Sequence, residues 1–94
     1  MENKDIDLKQ AKAIFTDYLV AKGHKRTNER YAVLQEIYES DGHRDVDALH
    51  LSMVQKDFRI SKATIYNTIS LLVGCDLVQR HQFGTGLARY EWTF

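Results

Sequence analysis

Tyr66 and Asn67 stand side by side in the segment SKATIYNTISLL, residues 61–72. An asparagine amide offers the paired donor and acceptor that match the N6 and N7 edge of adenine, and a tyrosine ring suits the methyl group of thymine. At about 100° per residue the apolar stripe of a helix centres on Ile65, with Ile69 and Leu72 beside it. The opposite side then holds Ala63, Asn67 and Ser70, flanked by Thr64 and Tyr66, with Lys62 near the start. Ala63 and Ser70 are small enough for a close approach. No Asp or Glu occurs from Arg59 to Cys75, where a carboxylate would meet the negative field of DNA phosphates. The amides at the helix N-terminus, near Ser61 and Lys62, are placed to hold a phosphate. Small neutral residues serve equally well in a helix packed against another domain or subunit, so this face alone leaves both uses open.

The elements that must position this helix are legible in the spacing of apolar residues. Leu8, Ala11, Ile14, Phe15, Tyr18 and Leu19 trace one face of a first helix, which Gly23 stops in a left-handed conformation. Thr27 is a good N-cap for a second helix carrying Tyr31, Leu34, Ile37 and Tyr38 on one side. That helix ends in an SDGH turn. A third begins near Asp45, with Val46, Leu49 and Val54 inward, and runs to about Lys56. Ser61 caps the fourth, and Asp76 ends it in a left-handed conformation that Asp tolerates better than most. The period then changes. LVQRHQF, a GTG turn and LARYEWT read as two short strands of a β-hairpin. The expected fold is mainly α with a small hairpin, a winged helix-turn-helix of about four helices and a two- or three-stranded wing. The expected layout is one domain over 1–94: an N-terminal helix in 1–22, a helical core in 27–75 whose reading helix is 61–75, and a wing in 77–93.

Ninety-four residues suffice for one core but not for a deep cavity. Thirteen basic and thirteen acidic side chains cancel, yet they are unevenly spread. Residues 1–22 balance, 23–31 carry +2, 32–57 carry −4, and 58–94 carry +2. In GHKRTNER, Lys25 and Arg26 precede Thr27, and Arg30 falls within the first turn of the second helix; a basic loop of this kind suits a phosphate clamp or minor-groove reach. Arg80, His81 and Arg89 sit on the hairpin. The sequence holds no glycine-rich phosphate loop, no HExxH and no nucleophile beside a base, so an enzyme is not expected. The single cysteine, Cys75, excludes an internal disulfide and fits a reducing compartment. No apolar run is long enough for a membrane span, and the alternating charges of MENKDIDLKQ do not make a secretory signal. The default location is cytoplasmic.

These segments together resemble the DNA-binding half of the ferric uptake regulator (Fur) family. The resemblance spans about residues 23 to 91. It rests on Gly23-x-Lys25-x-Thr27, Thr27-x-x-Arg30, the His43 turn, Ala63-Thr64-Ile65-Tyr66, Leu77-Val78-x-Arg80-His81 and Tyr90-Glu91. It implies a homodimeric, metal-responsive transcription factor that recognises AT-rich inverted repeats in double-stranded DNA. By matching position, Tyr66 would contact thymine in the major groove and Lys25 would reach the minor groove, while Thr64 and Arg30 would serve the backbone. Lys62, Ala63, Asn67, Ser70 and Arg80 complete the expected DNA face. His43 and Glu91 match two family ligands of the regulatory metal, which in the intact protein would be iron, zinc or manganese.

The sequence departs from the family pattern at several points. Asn67 stands where arginine is usual, Glu29 where proline is common, and Asp76 in place of a glycine. The family's His-rich segment, zinc-binding cysteine pairs and dimerisation sheet would all follow Phe94. The expectation is a truncated form of a longer regulator or a natural short paralogue, a monomer or weak dimer by itself. Two ligands fall short of the four a transition metal usually takes, so no tightly bound metal is expected here. His24, His50 and His81 read as surface or boundary residues, and Cys75 as a small buried group at a helix end. The competing reading is a winged-helix protein-interaction module that does not bind DNA, its acidic middle segment facing a basic partner.

Overall fold

The computed structural model describes residues 6–40, 44–82, 84, 86 and 88–94. His43 and part of the hairpin turn, both singled out in the sequence, lie outside these residues. Four helices precede a hairpin: α1 (Leu8–Lys22), α2 (Asn28–Glu39), α3 (Val46–Gln55), α4 (Lys62–Gly74), β1 (Val78–His81) and β2 (Arg89–Trp92). This is a mainly helical winged helix.

Each helix starts on a residue whose side chain accepts a bond from a free amide of the first turn. Asp7 takes Gln10, Thr27 takes Arg30, Asp45 takes Ala48 and Ser61 takes Thr64. At α1 the Gln10 side chain also accepts from the Asp7 amide at 2.9 Å, closing a capping box. Three helices end alike. Behind α1, α3 and α4 a residue with positive φ reverses the chain: Gly23 at 74°, Asp57 at 61° and Asp76 at 66°. In each case the next amide reaches back to the helix, from His24 to Leu19, Phe58 to Met53 and Leu77 to Leu72. This is the Schellman arrangement, and after α3 and α4, though not after α1, the residue following the reversal also packs inward. Leu77 is buried and Phe58 half-buried against the core.

The core draws on every helix and on the hairpin: Phe15 and Leu19 from α1, Val33, Leu34 and Ile37 from α2, Leu49 and Met53 from α3, Ile65, Ile69 and Leu72 from α4, and Val78 and Tyr90 from the strands. Phe15 and Leu19 are fully buried, together worth roughly 3–6 kcal/mol, which makes α1 an integral part of the domain. Ile14, expected on that face, lies at its exposed edge. Where α1 passes the end of α4, Gly74 lets the Tyr18 side chain lie close against the helix. A Cβ there would stand 2.4 Å from the Tyr18 hydroxyl.

Two inward residues differ from the sequence reading of α3. Met53 is buried, whereas Val54 is 49% exposed. The inward stripe runs Val46–Leu49–Met53, and Val54 falls about 100° past Met53, onto the solvent side. The hairpin pairs Val78 with Trp92 and His81 with Arg89, antiparallel. Arg44 adds a single bridge on the other side of Tyr90, with bonds of 2.9 and 2.7 Å. That bridge is the third strand reduced to one residue, and it fixes the hairpin to the start of α3. Arg44 also donates to the Ala48 carbonyl at 3.2 Å and the Ser40 hydroxyl at 3.3 Å.

Candidate nucleic-acid interface

α4 buries Ile65, Thr68, Ile69 and Leu72 and presents the other half of its circumference outward. Ala63, Tyr66, Asn67 and Ser70 are exposed and Thr64 is half-buried. Tyr66 leaves 52% of its surface in water. Thr68 is buried without strain because its hydroxyl donates to the Thr64 carbonyl at 2.8 Å, one turn back. The exposed strip thus consists of the side chains that the helical period placed there.

The tertiary structure sets a hollow on each flank of the strip. One, of about 390 Å³, is lined by Thr27, Glu29 and Arg30 of the α2 start and by Ala63, Thr64, Asn67 and Thr68 of α4. The other, of about 220 Å³, is lined by Ile69, Ser70 and Val73 of α4 with Arg80 and Tyr90 of the hairpin. Around the helix axis the two linings face opposite sides of the Ala63–Asn67–Ser70 line. Arg30 therefore stands at one edge and Arg80 at the other, residues separated by half the chain. The α2 cap places Arg30, whose guanidinium donates to the Lys25 carbonyl and so ties down the basic loop. Lys25 itself is exposed. Arg80 points out from β1 and donates to Gln82 at 2.7 Å.

The start of α4 is held from two directions. Ser61 caps the Thr64 amide at 3.0 Å, and the two hydroxyls are bonded at 2.9 Å. A His50 ring nitrogen lies 3.0 Å from the Ile60 carbonyl, linking α3 to the turn that leads into α4. The amides of Lys62 and Ala63 precede the first intrahelical bond and open outward. Lys62 has a partner the sequence reading did not foresee: its Nζ lies 2.9 Å from Asp47 Oδ1.

Between α2 and α3, Glu36 is a buried carboxylate that sequence reasoning missed. It accepts from Ser52 at 2.6 Å and Lys56 at 2.9 Å. Burial pushes its pKa up, but the bonds from Ser52 and Lys56, with the charges of Lys56 and Arg44, outweigh that and leave it below the usual carboxylate range. Lys56 is raised by the same pairing. The signal was available in the spacing, since Glu36 falls between Val33 and Ile37 on the inward side of α2. One of the six carboxylates of the acidic segment is therefore internal. Cys75 is half-buried, its thiol donates to the Leu72 carbonyl at 3.5 Å, and burial pushes its pKa up.

Of the two expected metal ligands, His43 lies outside the described residues, and Glu91 lies 3.1 Å from His81 across the hairpin. Among the described residues no three His, Cys, Asp or Glu side chains converge to hold a metal ion. The described residues by themselves do not fit a complete metal site. Nor is any helix among them long and apolar enough to cross a membrane.

Comparison with known proteins converges on one family. The family model of the ferric uptake regulator family matches residues 21–93. The ferric uptake regulation protein of Rhizobium leguminosarum is 33% identical over 70 residues, 74% of this chain and 49% of that protein. That of Campylobacter upsaliensis is 30% identical over 93 residues, 97% of this chain and 58% of that one. The ferric uptake regulator of Helicobacter pylori, whose structure reveals three functional metal-binding sites, superposes with a TM-score of 0.86 at 20% identity, over 98% of this chain and 61% of that chain. The chain spans about half the length of the curated relatives it matches. The superposition extends through α1, so that helix belongs to the shared fold.

Proposed function

Because the chain belongs to the ferric uptake regulator family, a family of regulators and not of enzymes, we propose that it is the DNA-binding domain of a metal-responsive transcriptional regulator, reading AT-rich inverted repeats with α4 in the major groove. The observation that carries this reading is the placement of Arg30 and Arg80 on opposite flanks of an exposed helix strip that has no carboxylate of its own. A duplex seated on the strip would meet both arginines with its phosphates, which position the protein, and the strip with its base edges, which specify the site.

On this reading the side chains divide the work. Tyr66 and Asn67 read thymine and adenine, Ala63 and Ser70 permit close approach, and Thr64 and Lys62 meet phosphates near the α4 start. Lys25 extends from the loop that Arg30 fastens and reaches the minor groove. Residues 61–75 act as the reading helix of a core over 27–75, and residues 77–93 as the wing that brings Arg80 to the backbone. In the intact protein a divalent metal, iron, zinc or manganese, would control the domain, with His43 and Glu91 contributing to its site. The active species would be a cytoplasmic homodimer on the two half-sites. The 94 residues alone engage one half-site, weakly, and hold no metal tightly.

A fluorescence-anisotropy titration onto an AT-rich inverted repeat and a scrambled duplex, at low and moderate salt, tests the reading. Tighter binding to the repeat, weakening as salt rises, is expected. Absence of binding to both duplexes at low salt would overturn it in favour of a winged helix that binds protein.

A further inference from the structure

Asp47 brings a carboxylate to the one helix whose own sequence excludes them. It belongs to the first turn of α3, yet its Oδ1 lies 2.9 Å from Lys62 Nζ in the first turn of α4. The Lys62 side chain is 54% exposed and that of Asp47 64%. Among the described residues, neither end bonds a third side chain. An exposed pair of this kind contributes little to folding, so its main effect is electrostatic. It cancels the charge of Lys62 beside the outward-facing amides of α4, where a phosphate would otherwise find a cation and a helix terminus together. A phosphate that reaches Lys62 must displace the Asp47 carboxylate or lie next to it.

We propose that Asp47 attenuates the DNA interface: its carboxylate competes with DNA phosphate for Lys62 and holds affinity for every sequence below what the basic residues would otherwise give. The inference rests on the reading of α4 as the DNA-facing helix. Phosphates are alike in all sequences, so the competition leaves discrimination between sequences untouched. It also masks one cation from salt, because a lysine already paired displaces fewer counterions when it meets DNA.

The test compares the unsubstituted chain with Asp47→Asn, Lys62→Ala and the double variant, titrated onto the AT-rich repeat and the scrambled duplex over a salt series. Asp47→Asn keeps the shape and removes the charge. It is expected to tighten both duplexes by the same factor, about two- to five-fold at low salt. The slope of log affinity against log salt should steepen by up to about 0.9, and the gain should vanish in the Lys62→Ala background. Asp47 also favours the dipole at the start of α3, so melting curves accompany the titrations, and Asp47→Ser must give the same gain. If the unsubstituted chain binds and Asp47→Asn binds equally or less tightly, the attenuation is wrong while the DNA reading stands. A gain that survives without Lys62 also overturns it. Absence of binding by every variant to both duplexes overturns the DNA reading and this inference with it.

Discussion

At the scale of single residues, exposure and partners separate those that read from those that hold. Tyr66 is half in water and its side chain makes no hydrogen bond among the described residues, so Tyr66→Ala should leave the melting temperature nearly unchanged. Its cost should fall on recognition: a loss of about 1–3 kcal/mol on the AT-rich repeat with little change on scrambled DNA, measured as paired titrations. Lys25→Ala or Arg80→Ala should instead weaken both duplexes alike; equal losses for Tyr66→Ala would count against base reading. Glu36 is the opposite kind of residue. Its pKa is lowered in the fold, so it contributes stability that is present above the ordinary carboxylate range and lost as pH falls through the folded value. Glu36→Gln should cost about 1–3 kcal/mol at neutral pH. It should also flatten the decline in melting temperature as pH falls through and below the ordinary carboxylate range. An acid limb as steep as that of the unsubstituted chain would show that the pairing with Lys56 and Ser52 does not set it.

Among the elements, the helix ends carry the constraint. The reversals after α3 and α4 place Asp57 and Asp76 at positive φ, where a side chain costs more than glycine's lack of one. Asp57→Gly and Asp76→Gly should each raise stability by roughly 0.5–1 kcal/mol, seen as a higher urea midpoint with an unchanged slope. The reversal at Asp76 was legible because the apolar period of α4 breaks there and a strand pattern follows. The one at Asp57 was not: nothing local distinguishes it from the last turn of α3, and only the Phe58 amide bonding back to Met53 reveals it. Val54 was misplaced for a related reason. On a ten-residue helix rich in apolar side chains, several stripes compete, and packing chooses Met53.

For the whole molecule, zero net charge means that attraction to DNA comes from placement and not from a strong general field. With Arg30 and Arg80 on the phosphates and Lys25 in the minor groove as the principal cations that meet DNA, log affinity should fall with log salt at a slope of roughly −2 to −3. The repeat should take up two chains independently, each as tightly as an isolated half-site does, as read by calorimetry. A much steeper slope would mean that more of the thirteen basic side chains engage than this face presents.

The sequence by itself determined what the period of a helix and the chemistry of its caps can express. Those are the helix starts at Thr27, Asp45 and Ser61, the strip of Ala63, Tyr66, Asn67 and Ser70, and the change to a hairpin after Asp76. Each depends on neighbours within a turn or two, where spacing is geometry. Whatever joins distant segments was decided only by the tertiary structure. Arg30 and Arg80 come to the two edges of one strip, Glu36 meets Ser52 and Lys56 sixteen and twenty residues away, and Asp47 reaches Lys62. The last case shows why. Composition along α4 excluded carboxylates from the helix, but charges act through space, and the packing of α3 against α4 brings one back.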